Sequence, residues 1–229
     1  MVIRTLIKNL SIFSNWQTML VTFLLEPAFT VLFYILLTGQ HISGQALWPY
    51  LSLMMGIQLI VILAQLLVKV RDNGLLSVMF ANARCLIIYL GSIALIAFTL
   101  SVLQGCLLYI TFALFSGKVT LTFHVVMWLF ISECFTLLFG LLVTLPFLQK
   151  ENPYFGSNLL VAALPILSAT LVPITSYPEW LGSISRILPF WLMQSALRRE
   201  SIGAQWLRVY GLLTVLLLFH FLRKRLKSE

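Results

Sequence analysis

The chain reads as an all-α membrane protein. The reading has six transmembrane helices, an N-terminal interfacial helix, a short cytoplasmic helix after span two and an outer re-entrant helical hairpin. Three observations lead there. Hydrophobic residues make up 60% of the 229 and mean hydropathy is +1.00, more apolar surface than a soluble core could hide. Only 10% of residues are charged, against about 25% in a soluble domain. Apolar stretches of spanning length recur to the end of the chain, joined by short loops. The whole of 1–229 forms a single transmembrane domain, without an internal repeat.

The elements are taken in chain order. In 2–14, Val2, Ile3, Leu6, Ile7, Leu10 and Phe13 share one face while Arg4, Lys8 and Asn9 take the other. That pattern predicts a cationic helix lying in the membrane interface. Spans are expected at about 18–38, 47–69, 85–115, 122–148, 157–175 and 205–222. The third and fourth are longer than a bilayer needs, so they tilt or project. Span three carries Ala97, Ser101 and Gly105, small residues four apart that let helices approach closely. Between spans two and three, Asp72 or Asn73 is expected to cap a short helix over 71–82. Its apolar residues, Leu75, Leu76, Val78, Met79 and Phe80, carry few charges around them, as a partner surface would.

The apolar run 159–174 holds Pro165 and Pro173. At helical rise it spans roughly 24 Å, short of the ~30 Å hydrocarbon core, so it is expected to end inside the membrane. Ser176 and Glu179 then fit a capping box, with Pro178 in the first turn. Trp180, Leu181, Ile184, Ile187 and Leu188 line one helix face. Pro189 interrupts, a second short helix covers 190–197, and Arg198 and Arg199 close it. The 177–199 segment is therefore a re-entrant hairpin, allowed where it packs on protein.

Net charge is +8, which the placement of Lys and Arg explains. With the N-terminus inside, Arg4, Lys8, Lys69, Arg71, Arg84, Lys150, Arg223, Lys224, Arg225 and Lys227 are cytoplasmic. Lys118, Arg186, Arg198, Arg199 and Arg208 fall outside. The bias puts both termini in the cytoplasm of a plasma-membrane protein. Trp48, Trp180, Trp191 and Trp206 then gather at the outer interface and Trp16 marks the inner one. No basic stripe interleaves with exposed aromatics, so nucleic acid is not an expected partner. Cys85, Cys106 and Cys134 stand alone in apolar runs, without disulfide or zinc spacing. The N-terminus lacks the small-x-small site of a signal peptide.

No GxxxxGK[ST] loop, HExxH or GxSxG occurs, so neither an enzyme nor a metal site is expected and no cofactor is assigned to this chain. Two carboxylates, Glu26 and Glu133, lie within spans. Each should face protein or water, or be protonated, either as a relay or as a packing contact. In span two, Gln58 and Gln65 are seven apart on one face, lining a pathway or bonding across a helix interface.

The order of parts carries a resemblance: an amphipathic N-terminal helix, a first span with Glu-Pro, RDNGLLSVMF at 71–80, and VPITSYPEWL at 172–181 with ILP at 187–189. It resembles the ABC-2 type permeases, the membrane subunits of bacterial ABC exporters with the ABCG-like (type V) fold, over nearly the whole chain. The resemblance implies that 71–82 is a coupling helix docking on a separate ATPase subunit, through Asp72, Gly74, Leu75, Leu76, Met79 and Phe80. Residues 2–14 would be the connecting helix. The 177–199 hairpin would close the pathway outside, with Pro173, Pro178, Trp180 and Pro189 at its bends and rim. Gln58, Gln65, Ser168 and Thr170 would line a path across a dimer axis. Asp72 stands where a glutamate is common and Leu75 where a threonine often follows the glycine.

The expected function is a permease subunit of an ATP-driven exporter for a hydrophobic or amphipathic cargo: a drug, an antimicrobial peptide or a lipid. Two ATPase subunits would supply ATP and Mg, and a second copy of the chain or a relative would complete the pore in the bilayer. The rivals are a proton-coupled secondary transporter using Glu26 and Glu133, and a non-transporting, peptide-binding immunity or scaffold protein.

Overall fold

The computed structural model describes residues 15–38, 47–81, 83–116 and 121–197. The predicted interfacial helix 2–14, span 205–222, Asn82, Arg198 and Arg199 lie outside those residues. Among the described residues every regular element is helical. Four helices are long and apolar enough to cross a membrane, the mark of a membrane protein.

Helix α1 runs Trp16–Thr38, capped by the Asn15 side chain, which accepts from Thr18 N at 2.6 Å. It contains a π-helical turn over Val21–Leu25, just before Pro27. Proline has no N–H and its ring crowds the carbonyl four residues back, and the widened turn answers both constraints.

Helix α2, Leu47–Asp72, is the axle of the fold. Over its apolar window 83% of residues are buried, against 22%, 22% and 28% for the other three long helices. A helix apolar all round is stable only when surrounded, and α2 is. Glycine ends it. Gly74 has φ 68°, its N–H bonds Arg71 O at 2.9 Å, and Leu75 N–H bonds Val70 O at 3.0 Å. That pair of bonds is a Schellman stop. The expected cap at Asp72 or Asn73 is therefore corrected: Asp72 is the last residue of α2, and Asn73 opens the turn. Helix α3 is only Leu76–Ala81.

Helix α4, Ala83–Ser116, runs antiparallel to α2. Trp48 stacks on Tyr109 with ring centroids 5.6 Å apart, and Ser101 meets Met55. Ala97, Ser101 and Gly105 are all buried, and the last two meet α2 at Met55, so the predicted small-residue ridge is the seam of that pair. Helix α5, Phe123–Thr144, continues as a 3₁₀ turn, Leu145–Phe147. It runs parallel to α2: Ser132 meets Ser52, Thr136 lies by Gly56, and Gly140 lies by Ile60 and Leu63.

Helix α6 covers Phe155–Leu167, 13 residues, about 20 Å of rise. The predicted fifth span to residue 175 is thus helical only in its first part. Pro165 sits in the last turn, and Ala169 turns the chain with φ 56°. Helix α7, Glu179–Ile187, starts after Pro178, which occupies the N-cap without a side-chain bond. The Ser176–Glu179 capping box does not form. The residue before a proline is held extended, so Tyr177, at ψ 144°, cannot join the helix. Helix α8, Pro189–Leu197, dives into the bundle against α2 and α5. In α7 only Gly182 and Ser185 are buried. Its predicted apolar face divides: Trp180, Ile184 and Ile187 are exposed, Leu181 is half-buried, and Leu188, just past the helix, is buried in the core.

Candidate functional site

A polar seam runs through the apolar bundle where α2, α4, α5 and α8 meet. Ser52 and Ser132 hydroxyls lie 3.2 Å apart. Ser132 also donates to Pro189 O at 3.2 Å, pinning the start of α8. Thr136 donates to Ser132 O at 2.8 Å. One residue on, Glu133 is fully buried, with Ser101 Oγ 2.9 Å from its Oε2. Ser101 Oγ also lies 3.0 Å from Met55 O. Three helices thus converge on one serine.

The sequence-predicted residues divide. Glu133 is in the seam, whereas Glu26 is exposed on α1, so the two carboxylates form no pair. Gln58 is buried and Gln65 half-buried on α2; Nε2 of the first and Oε1 of the second have no partner. Ser168 and Thr170 form a separate cluster at the break after α6. Their hydroxyls lie 2.7 Å apart, and Gln194 Nε2 of α8 donates to Ser168 O at 3.1 Å. Their hydrogen bonds run to the hairpin rather than to the glutamines of α2. Sequence reading missed Gln104, Ser52, Ser132, Thr136 and Gln194. Gln104 was findable: it lies one turn from Ser101 on the small-residue ridge.

At the α3 end, Arg71 ties the end of α2 to the turn that follows α5. Its Nη1 donates to Leu148 O at 3.2 Å and Lys150 O at 3.1 Å, and its Nη2 lies 3.1 Å from Asp72 Oδ1. Tyr154 is close by. Burial raises its phenol above the usual tyrosine range, the Asp72 carboxylate adds to that, and Arg71 opposes it. On α3, Met79 is fully buried, while Val78 is 47% exposed. The expected apolar patch is corrected accordingly: Met79 holds α3 to the bundle with Leu75 and Leu76 partly buried behind it. Gly74 works as the stop of α2.

At the hairpin end, Pro173, Pro178 and Trp180 are exposed, while Pro189 is buried. The Tyr177 hydroxyl donates to Ile166 O, bracing the irregular segment on α6. No family model, curated protein or solved structure matches the chain.

Proposed function

We propose that the chain is the permease subunit of an ATP-driven exporter, paired with a second copy or a relative and powered by two separate ATPase subunits. The observation that carries this reading is mechanical. Helix α2 ends at the Gly74 stop, from which the short helix α3 follows directly, and Arg71 clamps that end of α2 to the turn after α5. Against its other half lies the proline-bounded hairpin, with Phe190 seated on Gly56. A push on α3 would travel along α2 to the segment that closes the far side. Under this reading α3 faces the cytoplasm of a plasma-membrane protein and ATP binding favours one of two openings, which requires different affinities for the two states. The apolar character of the four long helices fits a hydrophobic or amphipathic cargo.

The test is a pull-down from native membranes of an ATPase subunit carrying a GxxxxGK[ST] loop, comparing wild type with Val78→Asp, which changes an exposed side chain and spares the core. The expected result is loss of ATPase binding and of cargo-stimulated ATP hydrolysis in lipid. Unchanged binding and stimulation would refute the docking role of α3.

A further inference from the structure

The bundle contains more buried polar atoms than the described residues satisfy. Glu133 Oε1, Gln104 Oε1, Gln58 Nε2 and Gln65 Oε1 are each buried with no hydrogen-bond partner. Glu133 is 0% exposed and Gln104 is 1% exposed. Buried polar atoms in native proteins are nearly always paired, with protein or with bound water. Glu133 Oε1, orphaned at full burial where α4 meets α5, therefore points to a bound water.

Their order along the bundle is fixed by the helix pairing. Ser101 of α4 sits against Met55 of α2, and the two helices are antiparallel. Gln104 is one turn from that junction in one direction. Gln58 is one turn away in the other, and Gln65 two turns further. At about 100° per residue, Gln58 and Gln65 each lie about 200° round α2 from Gly56 and Leu63, which face α5, so both turn away from Glu133, which lies level with the Ser101–Met55 junction.

Ser101 supplies the second observation. Its hydroxyl has one proton, yet its oxygen lies within bonding distance of two acceptors, Met55 O at 3.0 Å and Glu133 Oε2 at 2.9 Å. Both contacts become hydrogen bonds together when Glu133 carries a proton on Oε2 and donates it to Ser101 Oγ, leaving the serine proton for Met55 O.

We propose that this seam is a hydrated proton-binding site. Glu133 holds an exchangeable proton against Ser101, and bound water satisfies its Oε1. Facing groups leave the carboxyl unpaired by charge. On α5 the neighbour is Cys134, and His124 lies about 13 Å along the helix. On α2, Tyr50 is about 7 Å along the axis from Met55, and Lys69, Arg71 and Asp72 are about 21 Å away or more. On α4, Cys106 and Tyr109 lie about 7 and 12 Å from Ser101, and Tyr89, Cys85 and Arg84 about 18 Å or more. Helices α6 and α8 carry no titratable side chain.

Infrared difference spectroscopy of the full chain in lipid, wild type minus Glu133→Gln, tests the site. At neutral pH the wild type is expected to give a carboxylic-acid C=O stretch that the variant lacks. Exchange into D2O should move that band within the time of buffer exchange. Ser101→Ala, which keeps the carboxyl, should shift its frequency by removing the acceptor. A difference spectrum with carboxylate bands alone overturns the held proton. A band unmoved after hours in D2O overturns the bound water, and a band unchanged in Ser101→Ala overturns the pairing. None of these outcomes touches the docking role of α3.

Discussion

The ring of Phe190 fills the space that a side chain at Gly56 would need. A Cβ there would come within 2.8 Å of Phe190 Cζ and 3.2 Å of Thr136 Cγ2, from two different helices. Gly56→Ala should therefore lower stability by about 1–3 kcal/mol, the usual cost of overpacking. Gly105→Ala also meets a side chain, but that neighbour is the flexible end of Met55, which repacks more readily. Thermal unfolding in detergent should rank Gly56→Ala clearly below Gly105→Ala. An equal loss at both positions would contradict the close seat of α8 on α2.

Two left-handed residues make opposite predictions. Gly74 has φ 68° and open space around it, so Gly74→Ala should cost about 1 kcal/mol through backbone conformation alone. Ala169 already bears that strain at φ 56°. Ala169→Gly should leave stability unchanged or raise it by up to ~1 kcal/mol, since glycine's greater unfolded-state freedom offsets part of the relief. Chemical unfolding of the two variants side by side checks the signs.

Arg71 bridges the end of α2 and the turn after α5 through two carbonyls at once. Lysine carries the charge without the fork. Arg71→Lys is expected to lose about 1–2 kcal/mol locally. Hydrogen exchange of the amides around Leu148 and Lys150 should accelerate while the seam around Ser132 stays protected.

Tyr154 gives a pH signature. Burial first, and then the Asp72 carboxylate, raise its phenol above the usual tyrosine value. The folded state thus holds its proton longer than the unfolded chain. The associated stability is complete below the ordinary tyrosine range, about pH 10, and is lost as pH rises through the higher folded value. Unfolding curves of wild type and Tyr154→Phe should run parallel up to that range, with only the wild type falling more steeply above it.

The first four spans were legible from hydropathy, and the α2–α4 seam from Ala97, Ser101 and Gly105. Which helix would stand at the centre was not. In lipid the surroundings are as apolar as a protein core, so the exposed face of α4, with Ile87, Leu95 and Leu114, reads the same as the buried flank of α2. The ends of helices were misjudged for a different reason. Asp72 and Asn73 are good N-caps, but Gly74 is a better stop, and the stop acts first along the chain. The hairpin's two helices and the Pro189 bend came from proline spacing. The polar seam was half visible: Glu133 stood out as a costly residue, whereas Ser132 and Thr136 are common in apolar helices and gave no signal alone.

The wide turn at Val21–Leu25 has its own corollary. Such a turn is a one-residue surplus in an otherwise regular coil, and it rotates the residues before it by about 100° relative to those after it. A helical wheel drawn straight through α1 therefore assigns Trp16 and Gln17 to the wrong side. A relative of this chain shorter by one residue between Val21 and Leu25 would still form the span, but with its amino-terminal turn swung to face different neighbours.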